Sequence, residues 1–301
     1  MVMVRLIGHM MNRVATLAHR SDAWYLTGAA ALSRATAWRW DGVYACPLCM
    51  RGFRSPSELT REHVPPKAVG GKEMVLTCAP CNNVAGSALD VHWDLAQRGE
   101  MFAAGALMKP TKARLRIADD SVPVTLTAAG DGILLIGAPQ ASEPGALRRI
   151  TDHYEAASLE PTDFEFHIEF GEHHPRRAQV SHLRAGYLAA FAKFGYRYAA
   201  RLALVRQQIA FPGNDLISNF HVGVAQELIV GSHLFLGEAQ GVGPYIVATM
   251  GSNSVVLPPP LSVEDGDFWR AVAEHAATGA AFQFRGDSLG WPQQPQYLLD
   301  E

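Results

Sequence analysis

Cysteine is scarce in this chain, with four in 301 residues, and all four fall between positions 46 and 81. None is left over for a disulfide framework spread along the chain. In a reducing compartment two close Cys-x-x-Cys pairs read as a metal site. The opening stretch lacks an uninterrupted apolar run, because Arg5 and Arg13 break MVMVRLIGHMMNRV. It is therefore not expected to act as a signal peptide or a membrane anchor, and a cytoplasmic protein is expected. Repeats and low-complexity tracts are also missing, which excludes solenoid and linker-like architectures.

Net charge is small, −3, and argues against a protein that coats nucleic acid nonspecifically. The sign is unevenly spread. Residues 1–100 hold 11 Lys/Arg against 8 Asp/Glu, a balance of +3, whereas residues 101–301 hold 15 against 21, a balance of −6. Between Glu172 and Asp215 there are seven basic residues and no acidic one.

With 48% hydrophobic residues the chain can bury a substantial core, and its length suits two domains. Residues 22–40 are alanine-rich and read as a helix with Asp22 as a possible N-cap. GVYACPLC and ELTREH read as strands, the second stopped by Pro65 and Pro66. After the Gly70-Gly71 turn MVLT forms a return strand. From about Pro80 the spacing Ala85, Ala88, Leu89, His92, Trp93, Ala96 makes one apolar helix face. Later, ARLRI, VPVTLT, GILLIG, FEFHIEF, HLFLGE, PYIVATM and SVVL read as strands, and DFWRAVAEHAA as a short helix. One long helix is expected over Val180 to Gln208.

Cys46-x-x-Cys49 and Cys78-x-x-Cys81 bring four thiolates to one ion, the tetrahedral set that zinc favours, rather than leaving four buried free thiols. Such a closed site is structural. The 28 residues between Cys49 and Cys78 exceed a short zinc-ribbon spacing, so a functional segment is inserted between the halves. It contains Leu-Thr-Arg-Glu62-His63-Val-Pro-Pro-Lys67 and Gly70-Gly71. It runs on into Cys78-Ala-Pro-Cys81-Asn82-Asn83-Val-Ala-Gly86-Ser-Ala-Leu-Asp90.

In order and spacing, residues 46–93 resemble the HNH endonucleases of the ββα-metal fold, in their zinc-bound branch. The resemblance implies an α+β protein in which a ββα-metal HNH domain, stapled by a four-cysteine zinc site and preceded by a helical extension, occupies residues 1–100. A larger α+β domain of unassigned role fills 101–301. It further implies phosphodiester hydrolysis in nucleic acid, with DNA the expected substrate. His63 would be the general base, and Glu62 and Asn82 the ligands of a catalytic Mg²⁺ or Mn²⁺. Adjacent strand residues point to opposite faces, so Glu62 and His63 share one site only where the backbone bends. Glu73 stands where the family has its middle asparagine, which helps orient the histidine.

Other residues carry weaker signals. Lys67 is a candidate phosphate contact. Lys193, Arg197 and Arg201 recur at four-residue steps and would line one helix face as a phosphate stripe, with Leu183, Tyr187 and Phe191 turned to the core. Asp90 and His92 fall on the helix after the site, where His92 is expected to pack. His167, His173 and His174 are not expected to form a second metal site. The competing reading is a zinc-organised nucleic-acid-binding or interaction module without turnover.

Overall fold

A computed structural model describes residues 20–36, 40–104, 106, 110–117, 120–129, 132–137, 145–146, 148–149, 152, 165–168, 171–223, 231–261, 265–279 and 288–301. The chain mixes helices and strands, as an α+β protein does. It forms two compact units, one of residues up to Trp93 together with His174–Glu301, the other of Asp94–His173. The expected partition at residue 100 differs from this. Everything from His174 onward joins the unit that carries the cysteines, because a buried helix near residue 184 packs against the inserted segment.

The first unit begins with helix α1, residues 20–35, in which Asp22 lies inside rather than at the cap. Strands β1 (Tyr44–Ala45) and β2 (Gly52–Phe53) pair around the first cysteine turn. Strands β3 (Leu59–Val64) and β4 (Lys72–Cys78) form the expected antiparallel hairpin. Its connection uses Gly70 at φ 89°, a left-handed value that suits glycine. Gly71 is needed too, since a Cβ there would overlap the Pro65 carbonyl. Helix α2 (Ala79–Ala85) follows Cys78 directly, continues through a π-helical turn at Gly86–Asp90, and becomes α3 (Val91–Ala103).

The long helix expected over Val180 to Gln208 is three helices: α4 (Pro175–Phe194), α5 (Tyr196–Arg201) and α6 (Ala203–Ala210). Gly195, at φ 92°, ends the first. A Cβ at Gly195 would overlap the Asp300 carboxylate, which accepts the backbone N–H groups of Tyr196 and Arg197 and so starts α5. Helix α4 is buried at every position from Val180 to Ala192, not along one stripe. A helix covered all round is a core helix. Gly186 lets it approach the sheet closely, where a Cβ would overlap Val255 and Ala248.

That sheet has the order β10-β11-β12-β9 and is antiparallel, with β9 at His221–Gly223, β10 at Ser232–Ala239, β11 at Gly243–Met250 and β12 at Asn253–Leu257. Helix α7 (Asp265–Ala277) follows. The second unit contains an antiparallel sheet of order β7-β6-β5-β8. Its strands are β5 (Thr111–Ile117), β6 (Asp120–Ala129), β7 (Gly132–Gly137) and β8 (Glu165–His167). Ala113, Leu115, Val122, Val124 and Leu126 alternate into its core with Ala146, as period-2 patterning requires. The rest of FEFHIEF, apart from Ile168, lies outside the described residues. No described helix is long and apolar enough to cross a membrane.

Candidate functional site

The sulfur atoms of Cys46, Cys49, Cys78 and Cys81 all lie within 4.8 Å of one another, although 28 residues separate the two pairs. Cys49 Sγ and Cys78 Sγ are 3.8 Å apart. Tetrahedral coordination with zinc–sulfur bonds of ~2.3 Å places its sulfurs about 3.8 Å apart, so the four cysteines are positioned to hold a metal ion such as zinc. Cys46 and Cys78 are buried, while Cys49 is exposed. Hydrogen bonding from Cys46 pushes Cys49 down to about 6 and Cys78 down to about 5, and the same contacts hold the Cys46 thiol up. Among the described residues this is the one such group of potential ligands. His167, His173 and His174 are not part of it.

The cysteine cluster joins the hairpin to the helix. Leu59 pairs with Cys78, and α2 starts at the next residue. Register slips by one between Glu62 and His63, leaving Met74 unpaired on β4. A bulge of this kind locally kinks the ladder.

Thr60, Glu62 and Thr77 share one face of the hairpin. Asn82, in the first turns of α2, donates from Nδ2 to Thr60 Oγ1 at 3.0 Å, and Thr77 Oγ1 donates to Glu62 Oε2 at 3.2 Å. Glu62 is 3% exposed, and its Oε2 lies 2.6 Å from Arg184 Nη2. Burial pushes the Glu62 carboxyl up, against the pull of Arg184. Both contacts fall on Oε2; Oε1 takes part in neither. A carboxylate oxygen and an amide oxygen are donor types that Mg²⁺ or Mn²⁺ takes.

His63 is half-buried and stands opposite Glu73 in the ladder. Burial pushes its pKa down, Glu73 pulls it up, and Lys67 and Arg61 add to the depression. The net direction is down, which favours the neutral imidazole. Glu73 holds Arg61 at 2.8 Å. Lys67 is exposed at the start of a 3₁₀ turn over Lys67–Val69.

Lys193, Arg197 and Arg201 do not form one helical stripe, because Lys193 belongs to α4 and the two arginines to α5, beyond Gly195. Much of the basic run serves the fold. Lys193 donates to Gln296 Oε1 and Arg197 to the Arg34 carbonyl, and Arg206 donates to the Ala199 carbonyl. Arg176 pairs with Asp215 at 2.7 Å. His92 is half-buried; its Nδ1 accepts from the His174 backbone N–H at 3.1 Å, and its ring lies edge-on to that of His174.

Arg184 is a residue that sequence reasoning passed over. It is 1% exposed, pairs with Glu62 and reaches Asp90 Oδ2 at 3.5 Å, while Ser181 donates to Asp90 Oδ1 at 2.6 Å. Its signal was a single charge amid Leu183, Ala185, Gly186 and Tyr187, since arginine is rarely enclosed without a partner. No protein-family model, curated protein or solved structure matches this chain.

Proposed function

We propose that the chain is a divalent-metal-dependent endonuclease of the HNH type, hydrolysing phosphodiester bonds in DNA. The observation that carries this reading is one assembly: a strand-strand-helix unit joined by the four-cysteine cluster, with a half-buried His63 next in sequence to Glu62, and Asn82 linked to the Glu62 face through Thr60. His63 takes a proton from water. The water oxygen bonds to phosphorus as the bond from phosphorus to the 3′ oxygen breaks. That oxygen is protonated by solvent, giving 5′-phosphate and 3′-hydroxyl ends. Glu62 and Asn82 would hold Mg²⁺ or Mn²⁺, which supplies positive charge against the phosphate and the departing oxygen. Lys67 adds positive charge close enough to act on His63. The four thiolates leave zinc no open position, so its part is structural.

A second reading, a zinc-organised nucleic-acid-binding module without turnover, is favoured by the enclosure of Glu62 against Arg184. Supercoiled plasmid separates the two. The first reading expects nicking that requires Mg²⁺ or Mn²⁺ and falls about 10²–10⁴-fold in His63→Ala, the usual cost of losing a general base. Retarded but intact plasmid, or equal cutting by His63→Ala, overturns it.

A further inference from the structure

We infer that Arg184 is a positioning residue for Glu62, so that helix α4 completes the nuclease site from 122 positions away in sequence. The inference rests on the function proposed above. The guanidinium meets a carboxylate at two ends: Nη2 forms an ion pair with Glu62 Oε2 at 2.6 Å, and Nη1 makes a long, 3.5 Å hydrogen bond to Asp90 Oδ2. Asp90 is itself held by Ser181, one turn before Arg184 on the same helix, so the clamp is tied back to α4. Thr77 fixes the same Glu62 oxygen from the neighbouring strand.

Stability alone is a poor account of this arrangement. Enclosing an arginine and two carboxylates forfeits their hydration, and apolar side chains of similar volume generally serve a core as well or better. What the clamp does provide is orientation. One oxygen of Glu62 is immobilised while Oε1 is left out of both contacts. Groups that orient a ligand from behind set metal affinity in this way.

Mn²⁺ binding to the zinc-loaded full chain tests the assignment, with free Mn²⁺ counted by electron paramagnetic resonance alongside thermal unfolding. Arg184→Met should weaken Mn²⁺ binding about 10- to 100-fold, and Arg184→Lys should restore part of it. Asp90→Asn loosens the guanidinium but also removes a negative charge, so Ser181→Ala, which releases Asp90 with every charge kept, is measured beside it; both should weaken binding, and they serve if Arg184→Met fails to fold. A folded Arg184→Met or Asp90→Asn protein that binds Mn²⁺ like the parent, with only a lower melting temperature, overturns the inference and leaves Arg184 a core residue. A parent that neither binds Mn²⁺ nor nicks plasmid overturns the nuclease reading itself and this inference with it.

Discussion

The hydroxyl of Tyr187 donates a 2.6 Å hydrogen bond to the carbonyl of Pro47, inside the first cysteine turn and 140 residues earlier in the chain. Tyr196 does the same for Ala45 at 2.8 Å. Two aromatic side chains from the later helices thus hold the backbone that presents Cys46 and Cys49. Removing the Tyr187 hydroxyl leaves a buried carbonyl without this donor, which costs about 1–3 kcal/mol. Tyr187→Phe should therefore lower the urea midpoint and hasten loss of metal to a chelator. An unchanged midpoint would mean that the cysteine turn is held without it.

One zinc per chain is expected by elemental analysis, because the sulfur spacing matches a closed tetrahedral site. Cys46→Ser and Cys78→Ser should lose the metal and much of the stability, since both residues are buried where strand and helix meet. A folded, zinc-free preparation would contradict this.

Glu62→Ala and His63→Ala should part company. His63 is half-buried, so its loss should spare zinc content and melting temperature while abolishing metal-dependent cleavage. Glu62→Ala removes one partner of a buried ion pair and should also destabilise the fold, by about 3 kcal/mol. Part of its lost cleavage should return at high Mn²⁺, as should that of Asn82→Ala. If Mn²⁺ rescues His63→Ala equally well, the assignment of the base is wrong.

Acid should weaken the fold through a pair of histidines. His182 is buried with neither ring nitrogen hydrogen-bonded, and its ring stacks on that of His221 at 5.2 Å. Burial pushes His182 down to about 3, with the nearby charge of His221 adding to it. The unfolded chain takes up that proton near the ordinary value of about 6.5. The unfolded state thus binds more protons between these values, so the contribution is complete above about pH 6.5 and is lost as pH falls towards 3. Stability measured against pH should fall less steeply in His182→Gln than in the parent over pH 6.5 to 4. Parallel curves would show that His182 takes up its proton in the folded state as readily as in the unfolded one.

Sequence by itself determined what depends on near neighbours. The two Cys-x-x-Cys turns fix a local geometry whichever fold surrounds them. The hairpin followed by a helix was legible because Pro65, Pro66, Gly70 and Gly71 punctuate alternating apolar residues. Tertiary structure alone decided the rest. Leu183, Tyr187 and Phe191 look like one stripe at helical spacing, but periodicity does not say whether the opposite face meets solvent or a sheet; here β11 and β12 cover it. The end of α4 at Gly195 is set by Asp300, 105 positions away in sequence. In the sequence Arg184 is only one of seven basic residues between Glu172 and Asp215, because what makes a charge structural is the low-dielectric enclosure and the carboxylates brought to it, and neither exists until the chain has folded.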